Sequence, residues 1–203
     1  MSKQVITYTG RVNSKIPDMT VRQQLINAVF LMMLGGALWG YSANGFAIVS
    51  DSAVGKKTIA SFMVNFARFI EWPASAFDAP DSPFEICIIG EDPLKGVLDK
   101  KVGKKKVKKR SFTIDRLASV DIERIKQCHI VFISQSEFGK VSEIANALTG
   151  FPVLTVSDVD GFAKSGGMIG LVGVGRKVKM QINKTRISKA NLKASEKLLK
   201  IGS

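Results

Sequence analysis

Apolar residues recur at spacings of three and four over residues 56–72, where Ile59, Phe62, Met63, Phe66, Phe69 and Ile70 share one helical face. The spacing predicts an amphipathic helix that opens the folded region and stops at Trp72-Pro73, because a residue before proline is pushed out of the helical region. The pattern then shortens. Phe84-Glu85-Ile86-Cys87-Ile88-Ile89 closes on Gly90 and runs into Glu91-Asp92-Pro93, which predicts a buried strand, a turn and a helix over 93–101. Residues 105–114 alternate and read as a second strand, 117–126 are mixed, and 129–134 form another buried strand. Val141, Ile144, Ala145 and Leu148 mark a helix over 139–148, and 151–157 return as a strand. Strands and helices alternating at this interval predict an α/β fold of crossover units: a single domain with a central mixed sheet flanked by helices. The end differs. Residues 168–174 and 177–182 are adjacent strand-like runs joined through Gly175-Arg176, a C-terminal hairpin, and 188–201 read as a closing helix with Leu192, Ser195, Leu198 and Leu199 inward.

Ahead of this region, residues 25–39 form an uncharged apolar run preceded by Lys3, Arg11, Lys15 and Arg22 and followed by small residues around Gly45-Phe46-Ala47. Residues 1–47 therefore read as an N-terminal region holding a secretory signal peptide cut after Ala47, with 48–203 as the folded domain. The competing reading is a retained membrane anchor, since about 20 apolar residues span a bilayer. Either way the chain is directed to the cell envelope.

That location changes the meaning of the charge. Thirty Lys and Arg stand against seventeen Asp and Glu in 203 residues, a formal +13, and 48–203 keep 26 basic against 16 acidic residues. Outside the cytoplasm such a balance points away from nucleic acid and toward anionic lipid, glycan or an acidic protein surface. Eight of the eleven residues from Lys100 to Arg110 are basic, with no aromatic interleaved. Two readings stand: a solvated edge strand guarded by lysines, or a peripheral patch touching membrane or glycan.

Reactive groups are few. His129 is the one imidazole, and it enters an apolar strand beside Cys128, which disfavours a Ser-His-Asp or Cys-His nucleophile. Cys87, Cys128 and His129 would not converge on a metal, because neighbours in a strand point to opposite faces. Gly55-Lys56-Lys57-Thr58 lacks the earlier glycine of a phosphate-binding loop, and the glycines of 170–175 run in the wrong order for a dinucleotide fingerprint. No cofactor, metal or enzymatic activity is expected. Cys87 and Cys128 lie in or at the ends of buried strands in an oxidising compartment, so they are expected to form a disulfide, either structural or able to report redox state.

Several segments in order carry a resemblance: Asn65-Phe66-Ala67-Arg68-Phe69-Ile70-Glu71-Trp72-Pro73, the strand with Cys87 and Gly90, Cys128-His129-Ile130-Val131-Phe132-Ile133-Ser134, Val153-Leu154-Thr155-Val156-Ser157-Asp158, Phe162-Ala163 with Gly166-Gly167-Met168-Ile169, and Ile182-Asn183. Together they resemble the YfiR-like family over about 56–201. The resemblance implies a periplasmic regulator without catalysis that represses or modulates an inner-membrane diguanylate cyclase of the cyclic di-GMP pathway, or serves a sensor histidine kinase, and that self-associates as a homodimer. The best-known type carries a second disulfide, which this chain lacks; Cys87 and Cys128 match its first pair. Candidate partner contacts are Glu71, Trp72, Gly167, Met168, Ile169 and Asn183, each with a structural alternative: a tight turn for Gly167, core packing for Trp72, Met168 and Ile169, local capping or pairing for Glu71 and Asn183. A periplasmic small-molecule or glycan binder is the alternative function.

Overall fold

A computed structural model describes residues 48–175 and 177–202. The signal segment expected over 1–47 lies outside them, and no helix among the described residues is long and apolar enough to cross a membrane. Ser52 caps the first helix, its hydroxyl oxygen accepting the Gly55 N–H at 2.9 Å. Helix α1 (Ala53–Phe69) buries Ile59, Ala60, Met63, Val64, Phe66 and Ala67, the face that its spacing assigns. It ends before the proline. Ile70 is already extended, and β1 (Ile70–Glu71) pairs antiparallel with Lys193–Ala194, so tertiary pairing rather than Pro73 stops the helix.

Six strands build the main sheet: β2 (Phe84–Ile89), β3 (Phe112–Leu117), β4 (Ile130–Ile133), β5 (Leu154–Ser157), β6 (Ile169–Val174) and β7 (Lys177–Ile182). Their order is β3-β2-β4-β5-β6-β7, parallel as far as β6 and antiparallel at the β6–β7 hairpin. Parallel neighbours require crossovers, and these carry α2 (Val97–Val102), α3 (Ile122–Ile125) and α4 (Val141–Ala147). The apolar runs are continuous because both faces of the sheet are covered. Ile86 and Ile88 of β2, with Ile130 and Phe132 of β4, pack toward α1, Leu94 and Leu98. Cys87, Ile89, Val131 and Ile133 point the other way, onto Ile125, Val141, Ile144, Leu148 and Phe162.

Two expectations fail in instructive places. The alternating residues 105–114 are not one strand. β3 starts only at Phe112, while Val107 and Arg110 bond to each other across Lys108 and Lys109 in a tight turn. β3 is indeed the sheet edge, but the lysines precede it rather than line it. The closing helix over 188–201 is also two pieces. α5 (Lys184–Lys189) ends at Ala190, Asn191 turns at φ 55°, Leu192 drops into the core, and β8 (Lys193–Ala194) completes the ladder with β1. Ser195 then caps α6 (Glu196–Ile201), its hydroxyl oxygen accepting the Leu198 N–H at 3.3 Å. An open two-residue edge at β1 outcompetes helical continuity there.

Ile169 opens β6 with its side chain fully buried. Ile169→Ala is expected to lower unfolding stability by about 2–5 kcal/mol, read as a reduced denaturation midpoint in urea.

Candidate functional site

Cys87 sits in the middle of β2 and Cys128 in the connection from α3 to β4, and the two form a disulfide with Cα atoms 6.0 Å apart. The bond closes a separation of 41 residues, restricting the unfolded chain by about 4 kcal/mol in the chain-entropy description. Both cysteines are buried. Arg124, from α3, lies over the bridge: its Nη2 meets Glu85 and its Nε meets Asp115, each at 2.9 Å, and its Nη1 is 4.0 Å from the Cys128 sulfur. Partial burial works against the guanidinium charge, and hydrogen bonds to Glu85 and Asp115 outweigh it, leaving its pKa raised.

Beside the bridge, His129 is engaged on both sides of its ring. The Glu85 N–H can only donate, so Nδ1 accepts it at 3.0 Å; Nε2 then carries the proton and donates to the Ala76 carbonyl at 2.8 Å. Phe77 stacks on the imidazole at 4.4 Å, and Trp72 and Phe84 meet it edge-on. Burial pushes its pKa down, against the hydrogen bond to Ala76, which pulls the other way. A second ring proton would face the Glu85 N–H, so the neutral form is built into the fold. With both cysteines bridged and both imidazole nitrogens occupied, these groups are not presented as nucleophile, base or metal ligands. Next to them lies a cavity of about 440 Å³, lined by Phe77, Glu85, Lys126, His129, Phe151 and Pro152 among others.

The six residues singled out as partner contacts fall into two places. Gly167, Met168, Ile169 and Asn183 come together inside the fold. A Cβ on Gly167 would overlap the Phe162 ring, the Met168 N–H donates to Thr155 Oγ1 at 3.1 Å, and the Met168 carbonyl accepts the Asn183 N–H at 2.8 Å. Asn183 also caps α5, accepting the Arg186 N–H at 3.1 Å, and its amide donates to the Ala163 carbonyl at 3.1 Å. Met168 and Ile169 are core residues, so the exposed apolar patch considered for them is replaced by packing. Glu71 and Trp72 sit elsewhere, at the β1–β8 ladder. Glu71 is exposed; Trp72 is half-buried, edge-on to Phe84 at 5.3 Å, with an indole N–H that is buried and has no hydrogen-bond partner among the described residues.

Sequence reading missed the two arginines that organise this region. Arg110 donates to the carbonyls of Ala79 and Ser82, at 2.8 and 2.7 Å, and stacks on Phe77 at 3.6 Å; Arg124 bridges Glu85 and Asp115. Sequence reading names Asp158 only within a resembling segment; its role as a buried carboxylate accepting the Ser50 N–H at 2.7 Å is not foreseen. Apart from the closer Arg124–Asp115 pair, their partners lie 28 or more residues away, beyond any local pattern.

Compared with known proteins, the chain is matched over residues 56–203 by a family model described as YfiR/HmsC-like. No curated protein matches it.

Replacing both cysteines by alanine is expected to cost up to about 4 kcal/mol and to leave the folded far-UV circular dichroism intact, measured by denaturant unfolding beside the parent. The pH dependence of His129 has a definite sign. Its folded pKa lies below the ordinary value of 6.5, so the unfolded chain binds the proton more readily. The stability it supports is complete above pH 6.5 and declines as pH falls toward the lowered folded value. His129→Gln should flatten the fall in thermal midpoint between about pH 7 and 5; an unchanged slope would assign the acid sensitivity to other groups.

Proposed function

The chain belongs to the YfiR/HmsC-like family, and on that premise we propose that it is a periplasmic regulatory binding protein that restrains an inner-membrane diguanylate cyclase through the cyclase's periplasmic sensor part. The observation that carries this reading is the extent of the match, residues 56–203, which takes in almost all of the folded region. The family is regulatory and associated with membrane diguanylate cyclases. The site is in keeping with a binding role, since the bridge, the imidazole and the two arginines are all engaged in holding the fold together.

The mechanism is a binding equilibrium: a signal that favours the free protein releases the cyclase, and cyclic di-GMP rises. Within that scheme Glu71 and Trp72 are the contacts we retain. A buried N–H without an acceptor costs about 1–3 kcal/mol. A shift of the 70–72 segment on binding that opens Trp72 Nε1 to a partner carbonyl or carboxylate would recover that loss, and exposed Glu71 beside it would orient a basic group. A second reading, a small-molecule binder, is favoured by the cavity of about 440 Å³ next to His129, whose size falls within the ordinary range for such sites; ligand-dependent thermal stabilisation of the protein alone would mark it.

The test is affinity capture of the tagged protein from cross-linked envelopes, with cyclic di-GMP measured in cells with and without it. The reading expects a membrane diguanylate cyclase in the capture and higher cyclic di-GMP when the protein is deleted. Recovery of a sensor kinase with unchanged cyclic di-GMP would replace the cyclase as target. Trp72→Phe keeps an aromatic side chain and removes the unbonded donor, so the relieved N–H offsets part of the lost packing; the variant should fold yet bind its partner about thirty-fold more weakly, as a central contact does.

A further inference from the structure

The turn at residues 107–110 is built against local preference. Val107 and Arg110 exchange backbone hydrogen bonds at 2.9 Å in both directions, and the two residues between them, Lys108 and Lys109, have φ of 51° and 71°. Two consecutive left-handed residues define the tight turn that favours Asn-Gly, because a Cβ is strained there. Two lysines occupy it instead. The turn is nevertheless fixed: Val107 is buried in the core at 4% exposure, and Arg110 is held by the Ala79 and Ser82 carbonyls and by Phe77. Strain that a fold maintains at an exposed tip calls for a reason outside packing.

The tip is one end of a larger cationic face. Lys104, Lys105, Lys106, Lys108 and Lys109 are all exposed. Immediately upstream, Lys100 and Lys101 of α2, with Lys95 and with Lys57 of α1, line a concavity of about 460 Å³ floored by Ala60 and Val97. Among the described residues none of these lysines pairs with a carboxylate; Asp99, the acid on α2, is held at 2.7 Å by Arg116. The apolar residues within the run, Val102 and Val107, are buried, so residues 100–110 present no aromatic or aliphatic anchor, and Val97 at the floor of the concavity is partly covered.

We infer that this lysine face is a docking surface for the headgroups of an anionic phospholipid bilayer. Protein interfaces are rich in aromatic and arginine anchors and poor in lysine, and bidentate recognition of a discrete anion favours arginine. A rigid array of lysines without anchors suits a diffuse plane of negative charge, where each lysine adds attraction within a Debye length. Such docking would hold the protein flat on a membrane surface and raise its concentration near any membrane-embedded target. The inference goes beyond the regulatory reading and does not depend on it, since the binding partner is lipid alone.

The test compares the full chain with K108N/K109G, which installs the residues that the turn prefers and removes two charges. Binding is measured by flotation with phosphatidylcholine vesicles containing phosphatidylglycerol and with phosphatidylcholine vesicles alone. The apolar run at 25–39 and the basic residues before it are the same in both proteins, so the difference between parent and variant isolates the turn lysines. Expected is a preference for the anionic vesicles that disappears at high salt and falls about 25-fold in K108N/K109G, whose thermal midpoint is unchanged or higher. Equal binding of the parent to both vesicles overturns the inference, as does full preference retained by the variant. Tight retention on polyglutamate without preference for anionic vesicles would also overturn it and assign the face to an acidic protein. Because the vesicles contain no protein, these outcomes leave the cyclase reading standing or falling on its own test.

Discussion

Burial of β2 on both faces is the constraint from which the rest of the molecule follows. The strand is paired in parallel on either side, with β3 and β4, so its backbone has no free edge. Its side chains divide between two cores, Ile86 and Ile88 on one side, Cys87 and Ile89 on the other. Parallel pairing forces the chain to leave the sheet and return over one face or the other, and two apolar faces require a helix layer on each. α1 covers one, and α4 with the α3 turn covers the other. The disulfide adds a covalent tie from this strand to the segment that launches β4.

The polar and reactive groups are arranged around that strand. Glu85, its second residue, bonds His129 through its backbone and Arg124 through its carboxylate. His129 in turn ties down residues 76–77, and Arg110 holds residues 77–82 through Phe77, Ala79 and Ser82. These groups form a connected network, and connected networks fix one geometry. The contacts proposed for this protein, at Glu71–Trp72 and on the lysine face, adjoin the network through Trp72, which meets His129 edge-on, and through Arg110.

Much of this fold was legible in the sequence because it rests on periodic or continuous apolar patterns. The face of α1, the buried runs of β2, β4 and β5 and the β6–β7 hairpin all emerge from residues within a few positions of one another. What failed was set at a distance. Residues 105–114 carry an alternating pattern, yet Arg110 is drawn to carbonyls 28 and 31 residues earlier and Val107 into the core, leaving a turn where a strand was expected. Residues 188–201 read as one helix until β1 supplies an edge that only the folded chain can offer. The candidate contacts divide on the same ground. Met168 and Ile169 are apolar residues whose burial depends on where β6 lands, whereas Glu71 is exposed because it alternates to the side of β1 opposite buried Ile70.

The proposed regulator is a rigid two-faced scaffold that meets its target at its rim. Hydrogen exchange on the protein alone and bound to the periplasmic part of its membrane partner tests this most directly. The amides of β2 and β4 should exchange slowly and equally in both states, with added protection at 70–72 and the facing β8. Protection gained within β2 or β4, or a bound state in which 70–72 exchange as freely as before, would contradict it.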